Sequence, residues 1–213
     1  MLVPSPFSTR ARKMLTSGLF LLVFGSCFSI LLTLAYANLE PKPQDDFLTL
    51  STLGKDMSAA NYYPGEGASV TKGDTLNWNA RVYNHMGEPE YIAIRLKILN
   101  STQFGPDDKL RLPSPSDPIY EEKRMVANEE TITFPLAITI KDFATSSGSI
   151  ALRTVVVNGE EITNLNIANE QGGDFRVIVE LWRHDVRVDN FVFTWPSGPD
   201  TGSAWNQIRI QVK

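Results

Sequence analysis

Cysteine and histidine are nearly absent from this sequence. Cys27 is the only cysteine, so no disulfide can form within the chain, and what folds must do so by burial alone. His85 and His184 are the only histidines, and zinc needs about four nitrogen or sulfur ligands, which this supply does not meet. The chain contains no G-x-S-x-G, no H-E-x-x-H and no phosphate-cradling glycine loop. His184 stands beside Asp185, but adjacent strand residues point to opposite faces, so they do not make a base and its orienter. The expectation is a protein that is not an enzyme. Internal repeats and low-complexity tracts are also lacking.

Charge is missing altogether between Met14 and Leu39. About 20 apolar residues at roughly 1.5 Å rise cross a bilayer core of about 30 Å, so residues 14–37 read as a transmembrane signal-anchor. Arg10, Arg12 and Lys13 precede the run, and Glu40, Asp45 and Asp46 follow it. Basic residues are retained inside, which makes residues 1–13 a cytoplasmic tail and sends the rest of the chain outward. Ala35-Tyr36-Ala37 fits a signal-peptidase site, so a cleaved, secreted form is the alternative. Gly25, Ser29 and Thr33 recur at i, i+4 and i+8, a spacing of small residues that lets two membrane helices approach closely.

Beyond Ala37 lie all 24 acidic residues but only 17 of the 20 basic ones, leaving a formal charge of −7. Such a surface argues against nucleic acid and against charge-driven adhesion to an anionic bilayer. Residues 38–46 carry Pro41, Pro43 and charges and read as a stalk. From there to residue 213 the pattern is β. Phe47–Leu53 alternates apolar and polar, as do Asp74–Asn84, Tyr91–Asn100, Thr131–Ile140, Asp174–Arg183 and the end of Trp205–Val212; Ile119–Val126, the apolar 149–157, Glu161–Ile167 and Val188–Trp195 read as further strands. The short HMGEPE connection predicts that Asp74–Asn84 and Tyr91–Asn100 form a hairpin. Pro135 predicts an edge or a bulge for its strand, and Asn158-Gly159 predicts a two-residue turn. One greasy and one wet face per strand is the pattern of a sandwich. The fold expected is all-β: an immunoglobulin-like antiparallel β-sandwich of roughly nine strands, preceded by one N-terminal transmembrane helix.

Residues 103–118 hold four prolines and three aspartates and read as a long surface loop. Asp107, Asp108, Asp117, Glu121 and Glu122 cluster around it, and calcium, which takes 6–8 oxygen ligands, is the one ion left open; no known ligand spacing is matched, so no cofactor is expected. Trp182, Tyr62 and Tyr63 are candidate contacts for a sugar or a protein partner, with Asp107 and Asp108 beside them as polar candidates. Asn100-Ser101-Thr102 is the only N-x-[ST] sequon and makes Asn100 a glycosylation candidate.

The stretch DTLNWNARVYNHMGEPEYIAIRLKILNST, with Val82, Asn84, Tyr91, Ile92, Ile94 and Leu96, resembles the outer domain of an archaeal membrane-protein family known as domain of unknown function 1616. The closing segment, from DFRVIVELWR to WNQIRIQV, resembles that family's last hairpin, and the likeness covers residues 47–213. The resemblance implies an archaeal envelope protein with no assigned activity and brings no catalytic residues; it adds weight to the sequon. The function expected is that of an extracellular structural or interaction protein, partner of the surface layer or accessory subunit of a membrane complex. An envelope carbohydrate-binding module is the alternative. Partners expected are the membrane through residues 14–37, another envelope or membrane protein, and no nucleic acid.

Overall fold

The computed structural model describes residues 20–34, 46–197 and 200–213. The chain divides into two units, Met1–Gln44 and Asp45–Lys213. In the first, residues 20–34 form an α-helix whose residues are all exposed. Among the described residues no helix is long and apolar enough to cross a membrane. The predicted tail 1–13, both ends of the predicted span, the Ala35–Ala37 site and residues 38–45 of the stalk lie outside the described residues.

The second unit is all-β. Five strands make sheet A, in the order β1 (Phe47–Leu53), β3 (Thr75–His85), β6 (Thr131–Ser146), β7 (Ser149–Val157), β8 (Glu160–Asn169). Sheet B runs β2 (Ser69–Val70), β13 (Ala204–Val212), β9 (Asp174–Asp185), β4 (Glu90–Leu99), β5 (Tyr120–Val126), with β10 (Asn190–Val192) also on β9. A small ladder joins β11 (Trp195–Ser197) to β12 (Asp200–Gly202). All pairings are antiparallel except the short one between β2 and β13. The two sheets share one apolar core, in which Trp78, Phe134 and Phe175 are the largest fully buried side chains. Each such burial contributes on the order of 1.5–3 kcal/mol.

Alternation explains the core. Leu76, Trp78, Ala80 and Val82 of β3 lie beside Ile138, Leu136, Phe134 and Ile132 of β6 in the same sheet, and Ile92, Ile94, Leu96 and Ile98 of β4 close on them from sheet B. Thirteen strands are present among the described residues instead of roughly nine, because four of them span only two or three residues. Such short pieces carry too few residues to show a period.

Two expectations are corrected. β3 and β4 do not form a hairpin, because they belong to different sheets. The chain turns the corner at Asn84, which is wholly buried and donates from Nδ2 to the carbonyls of Glu88, Val126 and Ala127. Its Oδ1 accepts from the Met86 amide, so one side chain ties both crossovers at this end of the sandwich. Of the two arrangements expected for the strand holding Pro135, the edge is not met, since β6 pairs with β3 on one side and β7 on the other, while a bulge does occur further along it, where the register with β7 shifts between Ile140 and Phe143. Pro135 is tolerated because the β7 ladder begins only at Ile138. Past that point Asn158 takes over, accepting from the Ala137 amide and donating to the Pro135 carbonyl. Asn158 and Gly159 have φ of 51° and 89°, the left-handed pair that a two-residue turn requires.

Candidate functional site

The proline-rich loop decides what sheet B presents to the outside. Alternation places Lys97 of β4 and Glu180 of β9 on the face away from the core, yet they are 3% and 0% exposed. The loop lies over them. Lys97 Nζ stands 2.9 Å from Glu180 Oε2 and donates to the Ser114 carbonyl at 2.6 Å. The Ser114 amide donates to Glu180 Oε1 at 2.8 Å, and Trp182 Nε1 donates to Glu180 Oε2 at 2.9 Å. Both carboxylate oxygens are thus satisfied, the condition under which a buried ion pair is tolerated. Two more contacts fasten the loop: Arg176 donates to the carbonyls of Asn100 and Gln103, and Trp205 Nε1 donates to Asp108 Oδ1 at 2.7 Å.

This geometry answers for most of the predicted contact residues. Trp182 does point outward, but Arg95 lies over its ring at 4.0 Å and Phe193 packs on it at 5.7 Å, so it belongs to the cover rather than to an open platform. Tyr62 and Tyr63 are half-buried against the core; their hydroxyls donate to the carbonyls of Thr52 on β1 and Arg209 on β13 and close that side of the sandwich. Asp107 Oδ1 accepts the amides of Lys109 and Leu110 in a local turn. Glu121 is engaged by Arg95 and Lys123, and Glu122 by Arg124. Among the described residues no group of three or more His, Cys, Asp or Glu side chains gathers to hold a metal. Burial pushes the Glu121 carboxyl up, but Lys123 and Arg95 outweigh it and hold the group below the usual value.

Asn100 follows the last residue of β4 with its side chain engaged: Nδ2 donates to the Ala168 carbonyl at 2.7 Å, and Oδ1 accepts from Thr102 and Gln103. In the helix, Ser29 Oγ donates to the Gly25 carbonyl and Thr33 Oγ1 to that of Ser29, so these hydroxyls are satisfied along one ridge. His184 and Asp185 have separate partners, Asp189 and Arg187. The Arg187 guanidinium and amide hold the Asp185 carboxyl down at about 2.

What the sandwich leaves open is a groove of about 670 Å³ between the loop and β8. Ile98, Ile119, Ile162, Leu165 and Ile167 line it, and Phe104, 79% exposed, stands at its wall. A second recess of about 730 Å³, within the loop itself, shares Phe104 and Pro115 with the first. β8 is the edge of sheet A, and Asn164 and Asn166 take positive φ where its register with β7 shifts. The sequence carries one further signal for the covered face: Ala93, Leu99 and Ile178 are apolar on the side expected to be wet, where they alternate with Arg95, Lys97 and Glu180.

No family model matches the chain, and no curated protein matches it. Solved structures with a similar arrangement include a β-glucosidase mutant from Listeria innocua in complex with laminaribiose, at 12% identity and a TM-score of 0.38, over 79% of this chain and 16% of that one. A β-glucosidase from Erythrobacter marinus is similar at 12% identity and a TM-score of 0.37, again over 79% of this chain and 16% of that one. The sporulation control protein Spo0M from Bacillus subtilis is similar at 13% identity and a TM-score of 0.35, over 78% of this chain and 49% of that one. The chain thus spans less than half the length of each of these proteins.

Proposed function

We propose that this is a single-pass, N-in/C-out protein of the cell envelope that displays an immunoglobulin-like sandwich outside the cell. Its role is structural or interactional, as a partner of the surface layer or an accessory subunit of a membrane complex, and it is not an enzyme. The observation that carries the interaction reading is the apolar groove along edge strand β8, walled by the exposed ring of Phe104. An edge strand offers unpaired backbone groups, and a flanking groove offers side-chain pockets; together they accept an extended partner segment by strand addition. Support for the anchor is the helix over residues 20–34, which carries no charge and whose few hydroxyls, on Ser26, Ser29 and Thr33, are bonded to carbonyls of the helix itself. Support for the immunoglobulin-like assignment is two facing sheets on one core, joined by crossovers between them.

The test is isolation of the native protein in mild detergent, with identification of what stays bound and N-terminal sequencing of the same sample. A stoichiometric envelope partner, an intact N-terminus, and loss of the partner in Phe104→Ser are expected. A soluble monomer beginning at Asn38 would sink the anchor and support the secreted form. Intact mass on that sample also decides whether Asn100 carries a glycan.

A further inference from the structure

Lysines and arginines on the strands of sheet B are matched with acids, with one exception. Arg95 and Lys123 share Glu121, Lys97 has Glu180, Arg124 has Glu122, and Arg183 has the buried Glu90. Arg176 of β9 and Arg209 of β13 form no ion pair among the described residues. These two stand directly opposite each other in the β9–β13 ladder. Like charges that face each other across two strands cost stability. Acid is not scarce in this chain, with 24 acidic residues against 20 basic ones. The fold nevertheless keeps this one pair of cations together and leaves it unneutralised.

Phe175, Val177, Ile208 and Ile210 of the same strands belong to the core, so alternation puts Asp174, Arg176 and Arg209 together on the outer face of sheet B. With Ser101, just past the end of β4, they border a recess of about 140 Å³. Phe175 also borders it, but its ring is wholly buried in the core. Arg176 is half-buried and held in place: its Nη2 donates to the carbonyls of Asn100 and Gln103, which leaves Nε and Nη1 for a ligand. Arg209 is exposed, and its strand is tied at that residue by Tyr63, whose hydroxyl donates to the Arg209 carbonyl at 2.8 Å.

The lining says what kind of ligand fits. Guanidinium forks suit a planar oxyanion, above all a carboxylate, which they can bind in a bidentate way. Two guanidiniums less the Asp174 carboxylate leave a single positive charge, which matches a monoanion rather than a phosphate dianion. The remaining polar atoms are acceptors. Asp174 is exposed and in no ion pair, and Ser101 Oγ spends its hydrogen on Asn169 Oδ1 at 2.9 Å and keeps its lone pairs. Hydroxyl groups answer such acceptors. No apolar side chain is offered, so the last residue of a peptide would find no place for its side chain. The recess is also smaller than the roughly 300–1,000 Å³ of sites that enclose a whole ligand. It takes one acid group and its neighbouring hydroxyls, and leaves the rest of the ligand outside.

We propose that this recess binds a sugar acid, a uronate residue, with Arg176 and Arg209 on its carboxylate and Asp174 and Ser101 accepting from adjacent hydroxyls. The inference rests neither on the membrane anchor nor on the groove beside β8.

The test uses the full chain in a nonionic detergent without a sugar headgroup. Saturation-transfer NMR is recorded with the methyl glycosides of glucuronate and galacturonate as probes. Transfer to the ring protons of at least one is expected, with at least tenfold weaker binding of methyl glucoside and methyl galactoside, which lack the carboxylate. Arg176→Gln and Arg209→Gln should each weaken the uronate at least tenfold. Arg81→Gln, which removes an exposed arginine from sheet A, should leave its binding unchanged. Thermal melts separate lost binding from lost folding; should Arg176→Gln fail to fold, Arg209→Gln alone decides. No transfer from either uronate overturns the proposal. Binding that survives both substitutions, or falls as far in Arg81→Gln, overturns it as well. Acetate or inorganic phosphate that displaces the uronate at equal concentration would reduce the recess to a bare anion site and overturn the sugar-acid assignment.

Discussion

Side chains that point away from the core meet solvent in sheet A and meet the chain again in sheet B. Along β3, Asn77 and Arg81 are exposed between buried neighbours. Along β4 and β9, Ala93, Lys97, Leu99, Ile178 and Glu180 are buried on the outer side as well. The difference is one loop. Residues 103–118 fold back over sheet B and convert a wet face into a second buried layer, with an ion pair at its centre. Strand alternation reports the face that meets the other sheet; it cannot report a cover supplied by a loop that has no period of its own.

The sharpest way to break this comparison is to remove one charge under the loop. Glu180→Ala leaves Lys97 buried and unpaired, and the expected loss is about 3–5 kcal/mol in urea-unfolding experiments. The double variant Lys97→Met/Glu180→Gln should recover at least half of that loss, because it removes the orphaned charge and keeps an acceptor for Ser114 or Trp182. Ser114→Pro deletes the single loop amide that donates to Glu180. It should cost about 1–3 kcal/mol and open residues 103–113 to proteolysis while the strands stay protected.

Much of this was readable in advance, and the gaps have physical causes. β1 and β7 begin and end where alternation and the Asn158-Gly159 turn placed them. The error at β3 and β4 arose because a short acidic connection looks the same whether it reverses within one sheet or crosses to the other. What distinguishes the two is the set of carbonyls that Asn84 reaches, and those come from residues 88, 126 and 127. Alternation along β9 sets Trp182 outside the core, but its cover by Arg95 and Phe193 depends on neighbours from other strands. Glu90 gave no signal at all, since a glutamate at a strand start looks solvated.

Acid sharpens the contrast between two carboxylates at one end of sheet B. Asp185 has its carboxyl depressed to about 2 by Arg187, so its contribution is present above the usual 3.8 and is lost as pH falls through about 2. Glu90 is raised, so the fold carries the cost of its charge above that raised value and is relieved as pH falls through it toward 4.5. Carboxyl carbon NMR titration should therefore show the two midpoints displaced in opposite directions. The smallest effect belongs to the open face: Asn77→Ala in sheet A should change stability by no more than about 0.5 kcal/mol.

Hydrogen exchange at the Ser114 amide tests the covered face most directly. A packed cover predicts that this proton exchanges as slowly as those of β4 and β9, because it is buried and bound to Glu180. Exchange as fast as at an exposed loop amide would contradict the account, and sheet B would then present a solvated face like that of sheet A.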